Sequence, residues 1–192
     1  MHQKVKSMPK LGKRNKRSFQ DSIKYLKREE WDKLRESIDN YRDKLIITLL
    51  YSTGMRVGEF TKLEVQDIDF PERFIRIPLE NTKTRTGRTV FVPREVLNDL
   101  KAYLKLKKLK KGRLFDLTTR RVQQVIKKYS ARAGVEATPH TLRHTHIVHS
   151  LLDRVPITAV QKQVGHRRLT TTQIYSDFAP EQVREAYERS SP

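Results

Sequence analysis

The 192 residues include 41 Lys and Arg, 22 Asp and Glu and no cysteine, a formal charge of +19 on a chain long enough for one domain that buries about 70% of its unfolded surface. The lack of cysteine excludes disulfides, thiolate nucleophiles and Cys-based zinc sites, which suits the cytoplasm, and no apolar run suggests a signal peptide or approaches the roughly 20 residues that cross a bilayer. So large a cationic excess self-repels unless a polyanion compensates it, so nucleic acid is the expected partner, although a membrane surface or a ribosomal site would give similar numbers.

Residues 1–20 hold seven cations (Lys4, Lys6, Lys10, Lys13, Arg14, Lys16, Arg17) and no acid, which leaves +12 on the other 172. Residues 1–18 lack periodicity and are expected to be a flexible basic arm or a linker remnant, with one folded domain over 19–192. "LKREEWDKLRESI" (26–38) and "YRDKLIITLLYSTG" (41–54) predict helices, the second with Tyr41, Leu45 and Leu49 on one face and Gly54 as its stop. A third short helix follows in "RVGEFTKL". The period then changes. "VQDIDF", "RFIRI" and "RTVFV" are short β-rich runs parted by Pro71 and by "ENTKTRTG", which predicts a small antiparallel sheet. From Pro93 the helical period returns, with one stripe at Val96, Leu97, Leu100, Tyr103 and Leu104 and another at Val122, Val125, Ile126 and Tyr129. Further helices are expected at 140–152, at 156–163 with Gly165 as the stop, at 169–176 and after Pro180. The fold class is mostly α with one small antiparallel β-sheet (α+β).

Five of the six histidines, His140, His144, His146, His149 and His166, fall between 140 and 166. In "HTLRHTHIVH", His140, Arg143 and His144 stand at i, i+3 and i+4, so one helix face presents two imidazoles around a guanidinium. Zinc is the rival reading of an i, i+4 histidine pair, but an arginine between the ligands repels a cation and no Glu follows His140 as the metalloprotease pattern requires. No metal and no cofactor are therefore expected. His146 and His149 lean to another face and read as packed or surface histidines. An arginine between histidines suits an anion instead: the guanidinium fork takes two phosphoryl oxygens while an imidazole moves a proton. Spreading charge over a phosphoryl transition state calls for a second arginine, and Arg56 in "STGMRVGEF" offers one, with Glu59 three residues on to orient it.

"TGMRVGEFTKL", "HTLRHT" and "VGHRRLTTTQIY", in this order, resemble the catalytic domain of the tyrosine recombinases, the phage integrase family, over roughly residues 20–185. The resemblance implies that Arg56 and Arg143 bind the phosphate, that His140 and His166 flank it and that Tyr175 is the nucleophile, with Glu59 in support. It also implies a lysine on a β-hairpin turn; Lys83 matches best, with Arg85 and Arg88 close enough to compete for the register. The implied activity is a metal-independent, site-specific cleavage and rejoining of double-stranded DNA through a 3′-phosphotyrosyl intermediate. Two alternatives remain: a type IB topoisomerase that only relaxes DNA, and a DNA-binding regulator that does not cut. Family members usually carry a separate N-terminal clamp domain. Here DNA affinity is expected from the arm (Lys13, Arg14, Lys16, Arg17), from Arg85 and Arg88, and from Lys107 and Lys108 in "LKLKKLKKGR". "EQVREAYERS" after Pro180 resembles the C-terminal helix lent to a neighbouring protomer, implying dimers or tetramers on DNA and monomers when free. One departure is "LLDRVPIT", which has Arg154 in a turn where the family tends to place glycine.

Overall fold

Five of the six residues from Leu45 to Leu50 are apolar and buried, so the helix that carries them has to be packed over most of its surface. That helix is α2 (Tyr41–Thr53), opened by Asn40, whose side chain accepts the Asp43 N–H at 3.1 Å, and closed by Gly54 at φ 60. The computed structural model describes residues 23–81 and 87–166. Within them α1 (Arg28–Glu36), α3 (Val57–Phe60), α4 (Arg94–Leu106), α5 (Thr119–Ala133), α6 (Pro139–Leu152) and α7 (Ile157–Val164) accompany α2. α2 packs chiefly on α6 and α4, and also meets α1 and α5. The helix expected over 41–54 is thus present, with burial that extends beyond the stripe read from the sequence. Of the stripe, Tyr41 is exposed at 40%, its hydroxyl donating to the Asp99 carbonyl at 2.7 Å, whereas Leu45 and Leu49 are buried with Ile46, Ile47 and Leu50.

The sheet is antiparallel in the order β1 (Ile68–Asp69), β2 (Phe74–Ile77), β3 (Arg88–Phe91). Ile75 faces Val90 and Ile77 faces Arg88, so these four positions share the face turned to the core, with Phe74 and Phe91 on the other. The strand expected over "VQDIDF" forms only at Ile68–Asp69; its first half is a single 3₁₀ turn, Val65–Asp67, where the Asp67 carboxylate accepts the Glu64 N–H at 2.9 Å and offers the backbone an alternative to the ladder.

Thr138 caps α6 by accepting the Thr141 N–H, with Pro139 in the first turn. The turn after α6 places Arg154 at φ 63, a left-handed conformation that glycine adopts more cheaply. One large core surrounds α2. A second, smaller cluster of Ile147, Val148, Leu151, Val160 and Val164 fixes α7 on α6. Among the described residues no helix is long and apolar enough to cross a membrane. The helices expected at 169–176 and after Pro180 lie outside the described residues.

Candidate active site

Thr53, Gly54 and Met55 turn the chain out of α2 and into α3, and both arginines singled out in the sequence are tied to this turn. A Cβ on Gly54 would lie 2.5 Å from Cδ2 of His146 and 3.0 Å from Cγ1 of Val164, so glycine is needed for its neighbours as well as for its φ. The Gly54 carbonyl accepts from Nη1 of Arg143 at 2.5 Å, which holds that arginine, only 6% exposed, between α6 and the end of α2. Two residues past the glycine, Arg56 stands at the N-cap of α3. Glu59, the third residue of that helix, closes a box on it: Oε2 accepts the Arg56 N–H at 2.8 Å and Oε1 accepts from Arg56 Nη1 at 3.1 Å.

Arg56, Glu59, His140 and Arg143 line one open cleft of about 390 Å³, together with Lys62 and Glu80. His140 sits exposed in the first turn of α6, one turn before Arg143. His166 follows Gly165, the left-handed residue that ends α7. Burial first, and then the charges of Arg143, Arg56, His144 and Arg88, push its imidazole down to about 4. It is therefore neutral at pH 7 and stands within electrostatic reach of both arginines. His144 is lowered too, by burial and then by His140 and Arg143. Burial pushes the Glu59 carboxyl up, but the Arg88 hydrogen bonds and the charges of Arg88 and Arg56 outweigh it and hold the group below the usual carboxylate value. The guanidiniums of Arg56 and Arg88 thus pair with the one buried Glu59 carboxylate, while the buried Arg143 lines the same cleft as Arg56. A cation excess withdrawn from water in this way favours an anion that shares it, and guanidinium forks suit an oxyanion.

The structure places Arg88 away from the DNA-facing position, and from the hairpin-turn register, expected for it. Its side chain is 11% exposed, with Nη1 and Nη2 on Oε1 and Oε2 of Glu59 at 3.0 and 2.8 Å and Nε on the Gln163 carbonyl at 3.2 Å. The reason is strand alternation, which turns position 88 inward with Val90, where a cation persists only beside a partner. That alternation is visible in "RTVFV" and could have located it. Gln163 was missed entirely. Its amide accepts the Phe91 N–H and donates to the Phe91 carbonyl, both at 2.9 Å, so it fastens α7 to β3 as a neighbouring strand would. No signal short of the fold announces that contact. Lys107 and Lys108 are exposed just past α4 and do not line the cleft. His146 and His149 are packed, as read from the sequence: Nδ1 of His149 meets the Tyr51 hydroxyl at 2.9 Å, and both Nε2 atoms are sealed from solvent. Lys13, Arg14, Lys16, Arg17, Lys83, Arg85 and Tyr175 lie outside the described residues.

A model of the phage integrase family matches residues 24–182. The chain belongs to the phage integrase family. This integrase-family chain is 36% identical over 179 residues to the tyrosine recombinase XerA of Pyrococcus furiosus, an alignment covering 88% of this chain and 62% of that protein. It therefore spans about three fifths of the length of that curated relative. The catalytic domain of bacteriophage HP1 integrase matches with a TM-score of 0.70 at 26% identity, over 88% of this chain and 95% of the other. A site-specific recombinase XerH, bound to palindromic difH substrate in a post-cleavage complex, matches with a TM-score of 0.72 at 26% identity, over 86% of this chain and 52% of that one. The near-complete cover of the HP1 domain identifies what these residues fold into: the catalytic-domain architecture of the integrases.

Proposed function

We propose that this chain cleaves and rejoins DNA strands as a site-specific recombinase, through a covalent 3′-phosphotyrosyl intermediate on Tyr175. The observation that carries the reading is the convergence of Arg56, His140 and Arg143 on one cleft, with the His166 imidazole under the field of both guanidiniums. In this reading the two arginines take the nonbridging oxygens of a backbone phosphate and gain most as charge builds on them in the transition state. Free tyrosine has a pKa of about 10, so phenolate at pH 7 costs roughly 4 kcal/mol, which such a cationic cleft offsets. The Tyr175 oxygen attacks phosphorus in line, the bond to the 5′ oxygen breaks, and that oxygen takes a proton from Lys83 while His140 assists removal of the phenolic proton. His166, neutral in the empty site, becomes a hydrogen-bond donor to the phosphate as the bound anion offsets the neighbouring cations. Attack by the 5′-hydroxyl of another strand reverses the step and reseals the DNA.

Double-stranded DNA is the partner on this reading, supported by the net charge of +19 and by the likeness to XerH captured on its difH DNA. A basic arm over 1–18 and a catalytic domain over 19–192 are part of the same proposal. Lys13, Arg14, Lys16, Arg17, Arg85, Lys107 and Lys108 would then contact the duplex backbone, and residues 181–190 would join protomers into dimers or tetramers on DNA in the cytoplasm. The test is a nicked suicide duplex, which traps the intermediate because the cleaved strand diffuses away. Wild-type protein should give an SDS-stable protein–DNA band, and Tyr175→Phe should abolish it. No band with wild type on any duplex would leave a DNA-binding protein that does not cut.

A further inference from the structure

Arg88 is used by none of the chemistry above, yet its side chain joins two walls of the site. Its fork closes on both Glu59 oxygens, at 3.0 and 2.8 Å, and those same two oxygens position the backbone N–H and the Nη1 of Arg56. Its Nε holds the Gln163 carbonyl at 3.2 Å, three residues before His166. Its aliphatic and guanidinium atoms also cover Gly165 so closely that a Cβ there would meet Arg88 Cδ, Nε and Cζ at 2.8 to 2.9 Å. One planar group thus spans the α3 wall, which carries the first arginine, and the end of α7, which delivers the histidine.

We propose that Arg88 is a positioning residue that sets the spacing between Arg56 and His166, acting through Glu59 on one side and the Gln163–Gly165 turn on the other. The proposal rests on the recombinase reading for its catalytic consequence and on the hydrogen bonds alone for its structural one. Lysine cannot replace it, because an ammonium offers a point charge where the site uses a flat group with three donors in fixed directions. Such an arrangement matters for rate more than for binding, since a reacting group displaced by about 1 Å costs on the order of a hundredfold.

The experiment uses Arg88→Lys and Arg88→Gln with two readouts. The first is single-turnover formation of the covalent adduct on a suicide duplex, measured alongside duplex affinity. The second is hydrogen exchange at the Arg56 backbone amide, with the α5 amides as an internal control for folding. Arg88→Lys should slow adduct formation by about 10- to 100-fold, with duplex affinity held within about threefold, and Arg88→Gln should slow it further. Exchange at the Arg56 amide should quicken by about tenfold or more while α5 is unchanged, as expected when Glu59 loses its charge-assisted partner. Combining Arg88→Lys with Glu59→Gln should be little worse than the more severe single variant, because both break one linkage. Wild-type adduct formation in Arg88→Lys, unchanged Arg56 exchange, or losses that multiply with Glu59→Gln would each overturn the proposal. If wild type itself forms no adduct, the recombinase reading fails, and Arg56 exchange alone then decides whether Arg88 holds Arg56.

Discussion

Replacing Gly54 by alanine should damage the fold and the site together. Alanine in the left-handed conformation at φ 60 costs roughly 1–2 kcal/mol. The new Cβ would also stand 2.5 Å from the His146 ring and 3.0 Å from Val164, whose side chain is wholly buried. Neither neighbour is the free end of a flexible chain, so overpacking adds about 1–3 kcal/mol. The sum, about 2–5 kcal/mol, lowers the melting temperature by roughly 4–20 °C for a domain of this size. Gly134→Ala is the matched control, since Gly134 caps α5 at φ 67 with nothing within 4 Å of a Cβ, so only the backbone cost applies there. Thermal unfolding followed by circular dichroism measures both. Because the Gly54 carbonyl holds Arg143, adduct formation by Gly54→Ala should fall even at temperatures where the protein is fully folded, and Gly134→Ala should cleave normally. Equal melting temperatures for the two variants would refute the packing argument.

Arg56→Ala and Arg143→Ala should each slow DNA cleavage by about 10²- to 10⁴-fold while duplex affinity changes far less, as expected for groups that act on the transition state; equal losses of binding and cleavage would contradict that role. Stability should fall on acidification between about pH 6.5 and 4. Burial first, and then Arg143, push His146 down to about 4 in the folded chain from an ordinary 6.5, so the unfolded chain takes up the proton first and folding loses about 3 kcal/mol across that window. His166 and His149 act in the same direction, whereas the depressed Glu59 adds its loss only near and below the ordinary carboxylate range. Urea unfolding at pH 7.5 and 4.5 measures the difference; equal stability at the two values would contradict it.

The stretches that were legible in the sequence are those where local chemistry settles the outcome. Gly54 and Gly165 ended their helices as read, both left-handed, and the change of period after Leu63 announced the sheet. The helix of α2 was legible from its stripe, but the extent of its burial was not, because that comes from elements as distant in sequence as α6. Glu59 was assigned to Arg56 from a spacing of three. Its stronger partner, Arg88, is 29 residues away and joins it only once β3 folds against α3. The cleft's composition was legible as a motif series, while the device that spaces it was not, since Gln163 meets β3 through backbone groups that carry no sequence signature.

The central claim is that a tyrosine oxygen at position 175 becomes bonded to a DNA phosphorus. Digesting the trapped protein–DNA adduct with protease and nuclease, and sequencing the modified peptide by mass spectrometry, tests it directly. A nucleotide joined through its 3′-phosphate to Tyr175 is the predicted result; attachment to another side chain, or through a 5′-phosphate, would contradict it.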